Sequence, residues 1–234
     1  MLNKIKISIK NINFTIIFPL IALFIGTVMP EEQGIIAVTT KAKGNVSHRA
    51  WDSEDYINLL PAKSLNDGDH IQTGDDGFGA LVYLDDKTMI KIKKNTNFDV
   101  LGTKNQGQIS KRIKINNGTI KASIQKGKIG GFVIETPTSV ATVKGTEFWM
   151  VTSSEGDQVF GLEGTVELKN IISGEIKMVG VDETGTSLQT GEINVTTTDP
   201  SQVPTEDEKQ EINEFEIQFE GPDGDQKTMK IRYR

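Results

Sequence analysis

The stretch from Phe132 to Asn170 constrains the fold more than any other part of the chain, because proline and glycine divide it into short apolar segments. Pro137 cannot donate a hydrogen bond to a sheet, so it belongs at the start or edge of a strand. Gly145 and Gly164 stand where the backbone must bend or pass close to a neighbour. The stretch therefore predicts a series of strands, at about 132–136, 139–144, 146–153, 157–162 and 164–170.

Short alternating segments continue on both sides of this stretch. Residues 78–84 carry apolar side chains at both odd and even positions, which point to opposite faces of a strand, so we predict a strand covered on both faces. The Asn116–Gly118 step predicts a hairpin between strands at 112–115 and 119–124. No segment after residue 34 has a helical pattern, so we expect an all-β fold. Gly68–Gly74 and Gly185–Gly191 have a similar pattern, which favours a β-roll or β-helix-like sandwich of many short strands.

The N-terminus predicts one hydrophobic helix in front of the β domain. Lys4, Lys6 and Lys10 precede a mostly apolar stretch, residues 12–29. Its length lies between a signal-peptide core and a full membrane span, so residues 1–34 are either a signal peptide or a membrane anchor. Both alternatives place the remainder outside the cytoplasm, because the basic flank stays on the cytoplasmic side. Residues 12–29 would contact the membrane if the leader is not cleaved.

The rest of the chain divides into three predicted parts: a β domain at 35–198, an acidic linker at 199–213 and a C-terminal β-hairpin at 214–234. The hairpin alternates cleanly and places six apolar side chains on one face, namely Phe215, Ile217, Phe219, Met229, Ile231 and Tyr233. This face needs a cover. It either packs back on the β domain or binds another chain by strand addition.

The turns and strands of the β domain, above all those in residues 65–100 and 132–170, resemble the FecR domain, a bacterial extracytoplasmic all-β module. The resemblance covers about two-thirds of the chain and departs at Asp85–Lys87, where a tight Asp-Gly turn is usual. The residues that carry it are Gly68, Asp69, Thr73, Gly74, Thr136, Pro137, Gly145, Thr146, Phe148, Glu163, Gly164 and Val166. The resemblance implies partner binding or signal relay rather than catalysis, at the bacterial envelope, by a protein that is periplasmic or anchored in the inner membrane and facing the periplasm. Only about a dozen residues precede the apolar stretch, so we expect no folded sigma-binding domain there.

The inventory of reactive side chains is small. Cysteine is absent, and the two histidines, His48 and His70, lie in separate segments without matching ligands, so no metal, cofactor or enzymatic activity is predicted. We expect His70 to face solvent. The carboxylates of Asp67 and Asp69, of Asp75 and Asp76, and of Asp223 and Asp225 favour turns over calcium sites. A net charge of -6 argues against nucleic acid as a partner.

Aromatic residues leave a second function open. Trp51, Tyr56 and Trp149 could form an exposed platform for sugar rings, although burial in the core is the more common place for tryptophan. The sequence therefore supports two hypotheses. The first is an exported, non-catalytic module that binds an envelope protein or relays a signal. The second is a structural protein associated with carbohydrate or peptidoglycan, with cell-wall polysaccharide as its partner.

Overall fold

The computed structural model describes residues 34–105, 107–126, 131–206, 213–220 and 225–233. The predicted N-terminal helix lies outside these residues. The described residues form strands, turns and loops without a helix, so the all-β prediction is confirmed. The strands predicted between Phe132 and Asn170 are present within one or two residues of their expected ends.

The strands in chain order are β1 (Ala37–Lys43), β2 (Val46–Arg49), β3 (Ile57–Asn58), β4 (Ser64–Leu65), β5 (Asp69–Thr73), β6 (Phe78–Tyr83), β7 (Met89–Ile92), β8 (Asn97–Asn105), β9 (Gln108–Ser123), β10 (Phe132–Glu135), β11 (Ser139–Val143), β12 (Glu147–Ser153), β13 (Gly156–Glu163), β14 (Val166–Asn170), β15 (Ile176–Val179), β16 (Glu183–Leu188), β17 (Ile193–Thr197), β18 (Asn213–Glu220) and β19 (Gln226–Tyr233).

The strands before β18 form two sheets, A and B, and β9 belongs to both. Sheet A has the order β4-β1-β6-β7-β9-β12-β13-β16-β17 and is antiparallel throughout. Sheet B has the order β3-β2-β5-β8-β9-β10-β11-β14-β15, in which β9 and β10 run parallel. Successive hairpins alternate between the sheets. The β10–β11 and β14–β15 hairpins belong to sheet B, whereas β12–β13 and β16–β17 belong to sheet A.

The inner faces of the two sheets share one hydrophobic core. The rings of Tyr83 from sheet A and Phe132 from sheet B meet edge to face, with centroids 5.9 Å apart. Burial of each large side chain in this core contributes about 1.5–3 kcal/mol. Among the fully buried members are Leu81, Ile90, Phe148 and Met150 of sheet A and Ile71, Phe98, Ile113, Ile134 and Leu168 of sheet B.

Strand β9 corrects one prediction, because the chain does not reverse at Asn116–Gly118. β9 instead runs unbroken from Gln108 to Ser123. Its first half pairs with β8 and β10 in sheet B, and its second half pairs with β7 and β12 in sheet A. Gly118 has φ 115°, and a Cβ there would lie 2.4 Å from the Cα of Thr96. The glycine therefore bends the strand against β8 where it passes between sheets.

The outer face of sheet A is covered by two further segments. The first is residues 198–206, called the strap, of which all but Thr198 belong to the predicted linker. Thr198 bonds Thr184 at one end, and Glu206 reaches Lys91 and Lys121 at the other. The second is the β18–β19 hairpin, in which Phe215 pairs with Ile231 and Ile217 pairs with Met229. Ile231 packs there against Val38 and Val82. The prediction that β6 is covered on both faces is thus confirmed.

Candidate binding surfaces and the residues that shape them

Asp69 is the centre of a buried hydrogen-bond cluster at the start of β5. Its Oδ2 accepts from the backbone N–H of Asn66 at 3.0 Å and lies 2.9 Å from Nε2 of His48. Its Oδ1 accepts from the backbone N–H of Trp51 at 3.2 Å. The neighbouring Asp67 accepts from the N–H of Gly102 at 2.8 Å. Both carboxylates therefore bind the backbone, which confirms the interpretation of this segment as a structural turn.

Thr73 and Gly74 join three turns at the end of β5. The hydroxyl of Thr73 donates to the carbonyl of Lys93 at 2.7 Å and accepts from the N–H of Thr96 at 2.9 Å. The N–H of Gly74 donates to the carbonyl of Asn45, and its own carbonyl accepts from the N–H of Asn95. The family-motif residues here hold β2, β5 and β8 together.

The Thr136–Ser139 turn rests on a buried carboxylate from the other sheet. The hydroxyl of Thr136 lies 2.6 Å from Oδ2 of Asp157, and the hydroxyl of Thr138 bonds the same oxygen. The N–H of Ser139 donates back to the hydroxyl of Thr136 at 2.8 Å. Pro137 sits inside this turn, where no sheet donor is required. The Thr-Pro step thus ties sheet B to β13 of sheet A.

Gly145 and Gly164 form two turns packed against each other. Both have left-handed backbone, with φ 72° and φ 76°. A Cβ on Gly164 would lie 2.9 Å from the carbonyl oxygen of Gly145, and one on Gly145 would lie 2.7 Å from Cγ of Lys126. Thr146 is buried between them, with its hydroxyl 3.3 Å from the carbonyl of Thr165. Glycine is therefore required twice, for conformation and for space.

The remaining motif residues divide between core and surface. Phe148 and Val166 are fully buried in the common core. Glu163 is exposed and pairs with Lys126, which is also exposed. Most of the motif residues are thus engaged in turns, in the core or in contacts between strands, so the motif describes how the sandwich is joined. A binding surface has to be sought elsewhere.

His70 contradicts the expectation that it faces solvent. It is only 5% exposed and its Nδ1 lies 2.6 Å from Oδ1 of Asp99 on the neighbouring strand β8. The ring of Tyr56 meets it edge-on at 5.8 Å, and Arg49 stacks over Tyr56 at 5.6 Å. The expectation was wrong because Asp99 and Tyr56 cover the imidazole from distant parts of the sequence.

Trp149 is buried, as the core-packing interpretation predicted. It is 2% exposed on the outer face of sheet A, between Phe160 and Lys121, whose ammonium lies 5.8 Å from the indole ring. Burial lowers the pKa of Lys121, but its bonds to Glu147 and Glu206 outweigh burial and hold that pKa above 10.5. The strap runs along this face. Trp149 is thereby removed from any exposed aromatic platform.

A buried lysine was missed by the sequence analysis. Nζ of Lys111 lies 2.7 Å from Oδ2 of Asp85 and 3.0 Å from Oδ2 of Asp86. The same Asp85 oxygen accepts from the N–H of Ile109, and Asp86 accepts from the N–H of Thr88. The acidic pair at Asp85–Lys87, where the family has a tight Asp-Gly turn, was the available signal. It anchors the β6–β7 turn to β9.

The apolar face of the C-terminal hairpin is turned toward the body of the protein. Ile231 is 4% exposed, while Ile217 and Met229 are half-buried beside it. An open cavity of about 430 Å³ lies at this junction, lined by Val82, Lys87, Met89, Gln125, Lys230 and Ile231. Among the described side chains, the packing around Ile231 is therefore incomplete.

Exposed apolar side chains gather at the two ends of sheet B. Around edge strand β3 these are Trp51, Tyr56, Ile57 and Leu60, each between 47% and 62% exposed. Around edge strand β15 they are Ile171, Ile172, Ile176, Met178 and Val181, each between 49% and 58% exposed. Edge strands with such side chains are common places for protein association.

The described part of the chain contains no cluster of three or more histidine, aspartate or glutamate side chains arranged to hold a metal ion. In that same part no helix could reach across a lipid bilayer. The leader predicted to be a signal peptide or anchor lies outside the described residues.

Comparison with known proteins finds a family that matches one segment of the chain. Residues 69–167 match the FecR family, described as FecR protein. The match runs from β5 into β14 and is narrower than the resemblance suggested. The resemblance is confirmed over this segment.

Two crystal structures of a protein described as a candidate anti-sigma factor from Parabacteroides distasonis ATCC 8503 also match. Each is 15% identical, covers 57% of this chain and 61% of its own, and has a TM-score of 0.48 or 0.46. The match thus spans less than two thirds of those chains. No curated protein matches this chain.

Proposed function

We propose that this chain is a non-catalytic FecR-domain protein that binds a protein partner and relays a signal at the bacterial cell envelope. The observation that carries the proposal is the family match over residues 69–167. The alternation of hairpins between sheets A and B supports the β-roll-like sandwich expected for the domain.

The chemistry of the described residues supports a role without catalysis. His48 and His70 are each bonded to an aspartate, on opposite faces of sheet B, and both are buried. The motif carboxylates of Asp67 and Asp69 are occupied by backbone N–H groups. These groups act as internal ties.

We infer that the C-terminal hairpin provides the partner-binding face, made of Phe215, Ile217, Phe219, Met229, Ile231 and Tyr233. The incomplete packing around Ile231 supports this assignment, because a loosely held apolar hairpin can exchange its intramolecular contacts for those of a partner. A partner strand or groove would then replace the cover that Val38 and Val82 provide in the free protein.

The test is site-specific photo-crosslinking on intact cells that produce the full chain. A photoreactive amino acid at Met229, on the apolar face, is expected to capture one discrete protein partner. The same probe at Thr228, on the exposed face of the same strand, is the matched control. Equal adducts at both positions, or none at Met229, would refute the hairpin as the binding face.

The envelope location has its own test. Mass spectrometry of the protein from fractionated cells distinguishes an intact N-terminus in the inner membrane from a chain that starts near residue 30 in the periplasm. Either result fits the proposal. Recovery of the whole chain from the cytoplasm would contradict it.

Association with cell-wall polysaccharide is the second candidate, and one observation favours it. Trp51 and Tyr56 are 50% and 47% exposed near each other in the sequence. Trp149 does not contribute because it is buried. If sugar rings stack on this pair, Trp51→Ala abolishes retention of the protein on isolated cell-wall polysaccharide, and unchanged retention would exclude the candidate.

A further inference from the structure

The segment from Ile171 to Val181 exposes more apolar surface than its position at a sheet edge requires. Ile171 and Ile172 occupy the turn before β15, Ile176 and Met178 lie on the strand, and Val181 follows it; all five are about half exposed. The neighbouring strand β14, by contrast, alternates buried Val166 and Leu168 with charged Glu167 and Lys169. Hence the apolar character belongs to the edge itself.

The backbone of β15 is available for pairing on its outer side. Among the described strands, β15 pairs with β14 alone. The carbonyl of Glu175 accepts from the N–H of Asn170 at 2.9 Å and so points toward β14. Because N–H and C=O directions alternate along a strand, those of Ile176 and Met178 point toward the free edge.

We propose that this edge binds a second copy of the chain, with the two β15 strands antiparallel about a two-fold axis at Ile176. Ile176 would face Ile176 of the second copy as a hydrogen-bonded pair, which uses the backbone groups that point outward. The most common homo-oligomers are two-fold dimers with self-complementary interfaces. Residues 171–181 would supply the apolar contacts around the axis.

The charges beside Ile176 fit this register. Glu175 and Lys177 flank the axis residue, so the antiparallel arrangement sets each Glu175 opposite Lys177 of the other copy. Within one chain the Glu175 carboxylate accepts from the N–H of Ile193 at 3.0 Å and lies 3.2 Å from Nζ of Lys177, so both charged groups are on the same face of the strand beside Ile176. A register centred on Lys177 would oppose two ammonium groups, and like charges directly opposite are destabilising.

The dimer edge is separate from the surface assigned to partner binding. The hairpin covers β1 and β6 of sheet A, whereas β15 is the last strand of sheet B. Loss of dimerisation therefore leaves the hairpin crosslink in place, and loss of the hairpin crosslink leaves the dimer in place. The two proposals can fail independently.

Cysteine crosslinking tests the register directly, because the chain contains no cysteine of its own. In the proposed register the Cα atoms of the two residues at position 176 are about 5.5 Å apart, within the range for a disulfide. The full-length Ile176→Cys variant, oxidised in cell fractions, is expected to give a disulfide-linked dimer on a non-reducing gel. Met178→Cys is the matched control, since it is 55% exposed against 51% but lies far from its own copy in this register.

Charge exchange provides the second measurement. Lys177→Glu places carboxylates opposite each other and is expected to reduce Ile176→Cys crosslinking by at least about threefold. The double variant Glu175→Lys with Lys177→Glu restores opposite charges and is expected to restore the crosslink. A purely structural effect of Lys177 would not be rescued in this way.

Three results would overturn the proposal: no dimer from Ile176→Cys, equal dimer from Met178→Cys, or failure of the double variant to recover the crosslink. Equal accumulation of the variants in the cell, checked on a reducing gel, excludes a folding defect as the cause of a negative result. A monomeric mass of the native full chain in detergent, well above the concentration used for crosslinking, would also refute it.

Discussion

Nε2 of His48 lies 2.9 Å from Oδ2 of Asp69, and both side chains are at least 98% buried. The contact joins β2 to the first residue of β5 across adjacent strands of sheet B. Asp69 also holds the backbone N–H groups of Trp51 and Asn66, so one carboxylate fixes a loop, a turn and a strand. These three hydrogen bonds explain why an aspartate suits the family-motif position 69.

Asp69→Asn should destabilise the protein by about 2–4 kcal/mol. In the native protein three donors bind the two carboxylate oxygens, whereas an amide has only one acceptor oxygen. The amide nitrogen would face a backbone N–H or the imidazole. Urea unfolding followed by circular dichroism measures the loss. Asp75→Asn, in an exposed turn, is the control and should stay within about 0.5 kcal/mol of the native protein. Similar effects of both changes would disprove the role of the cluster.

Gly164→Ala should cost more than Gly107→Ala, although the two glycines have nearly equal φ values of 76° and 78°. Both changes carry the left-handed penalty of about 1–2 kcal/mol. Only the alanine at 164 places its Cβ 2.9 Å from a backbone oxygen, whereas Gly107 has open space. We expect about 1–3 kcal/mol of additional loss at 164, measured by urea unfolding. Equal losses would show that the turns can move apart.

The prediction of strands and turns succeeded where the deciding signal is local. Pro137, Gly145 and Gly164 each end or begin a strand, and short-range backbone chemistry is sufficient to place them. The prediction failed where contacts with residues distant in the sequence determine the backbone conformation or the burial of a side chain. Asn116–Gly118 has the sequence of a hairpin turn, yet packing against Thr96 makes it a bend. His70 is buried by Asp99, which lies 29 residues away, and Lys111 by Asp85, which lies 26 residues away.

Glu206 should make the closure of the strap sensitive to acid. Burial by itself raises the pKa of Glu206, but the ion pairs with Lys121 and Lys91 outweigh burial and hold it below 4.5. A carboxyl whose pKa is lower in the folded than in the unfolded state stabilises the folded protein at pH values above its unfolded pKa. This stabilisation is lost as the pH falls through the pKa of the folded state. We expect the strap to lose on the order of 1 kcal/mol of stabilisation below about pH 4.5.

Tryptophan fluorescence can follow this step, since Trp51→Phe leaves the buried Trp149 as the sole tryptophan. Acidification should shift its emission to the red before global unfolding. Glu206→Gln should show the shifted emission already at neutral pH, and Glu155→Gln, in an exposed turn, should not. A pH profile that is unchanged in Glu206→Gln would contradict the assignment.

Ile231→Ala should release the C-terminal hairpin without unfolding the sandwich. Among the described side chains of the hairpin, Ile231 is the one buried against Val38 and Val82, and an open cavity lies beside it. Hydrogen exchange at the backbone amides of β19 should accelerate by an amount equal to about 1–3 kcal/mol, while amides of β9 remain protected. Thr228→Ala, exposed on the same strand, serves as the control. Equal acceleration in β9 would mean that the hairpin and sandwich open together.

Because a single 16-residue strand, β9, takes part in both ladders, neither sheet can come apart without disturbing the other. A force applied to β8 or β10 is transmitted through the backbone of β9 to β7 and β12. We therefore expect the sandwich to respond to force as one rigid unit. A signal relayed by this protein would then depend on movement of the whole sandwich, or of the strap and the hairpin that cover sheet A.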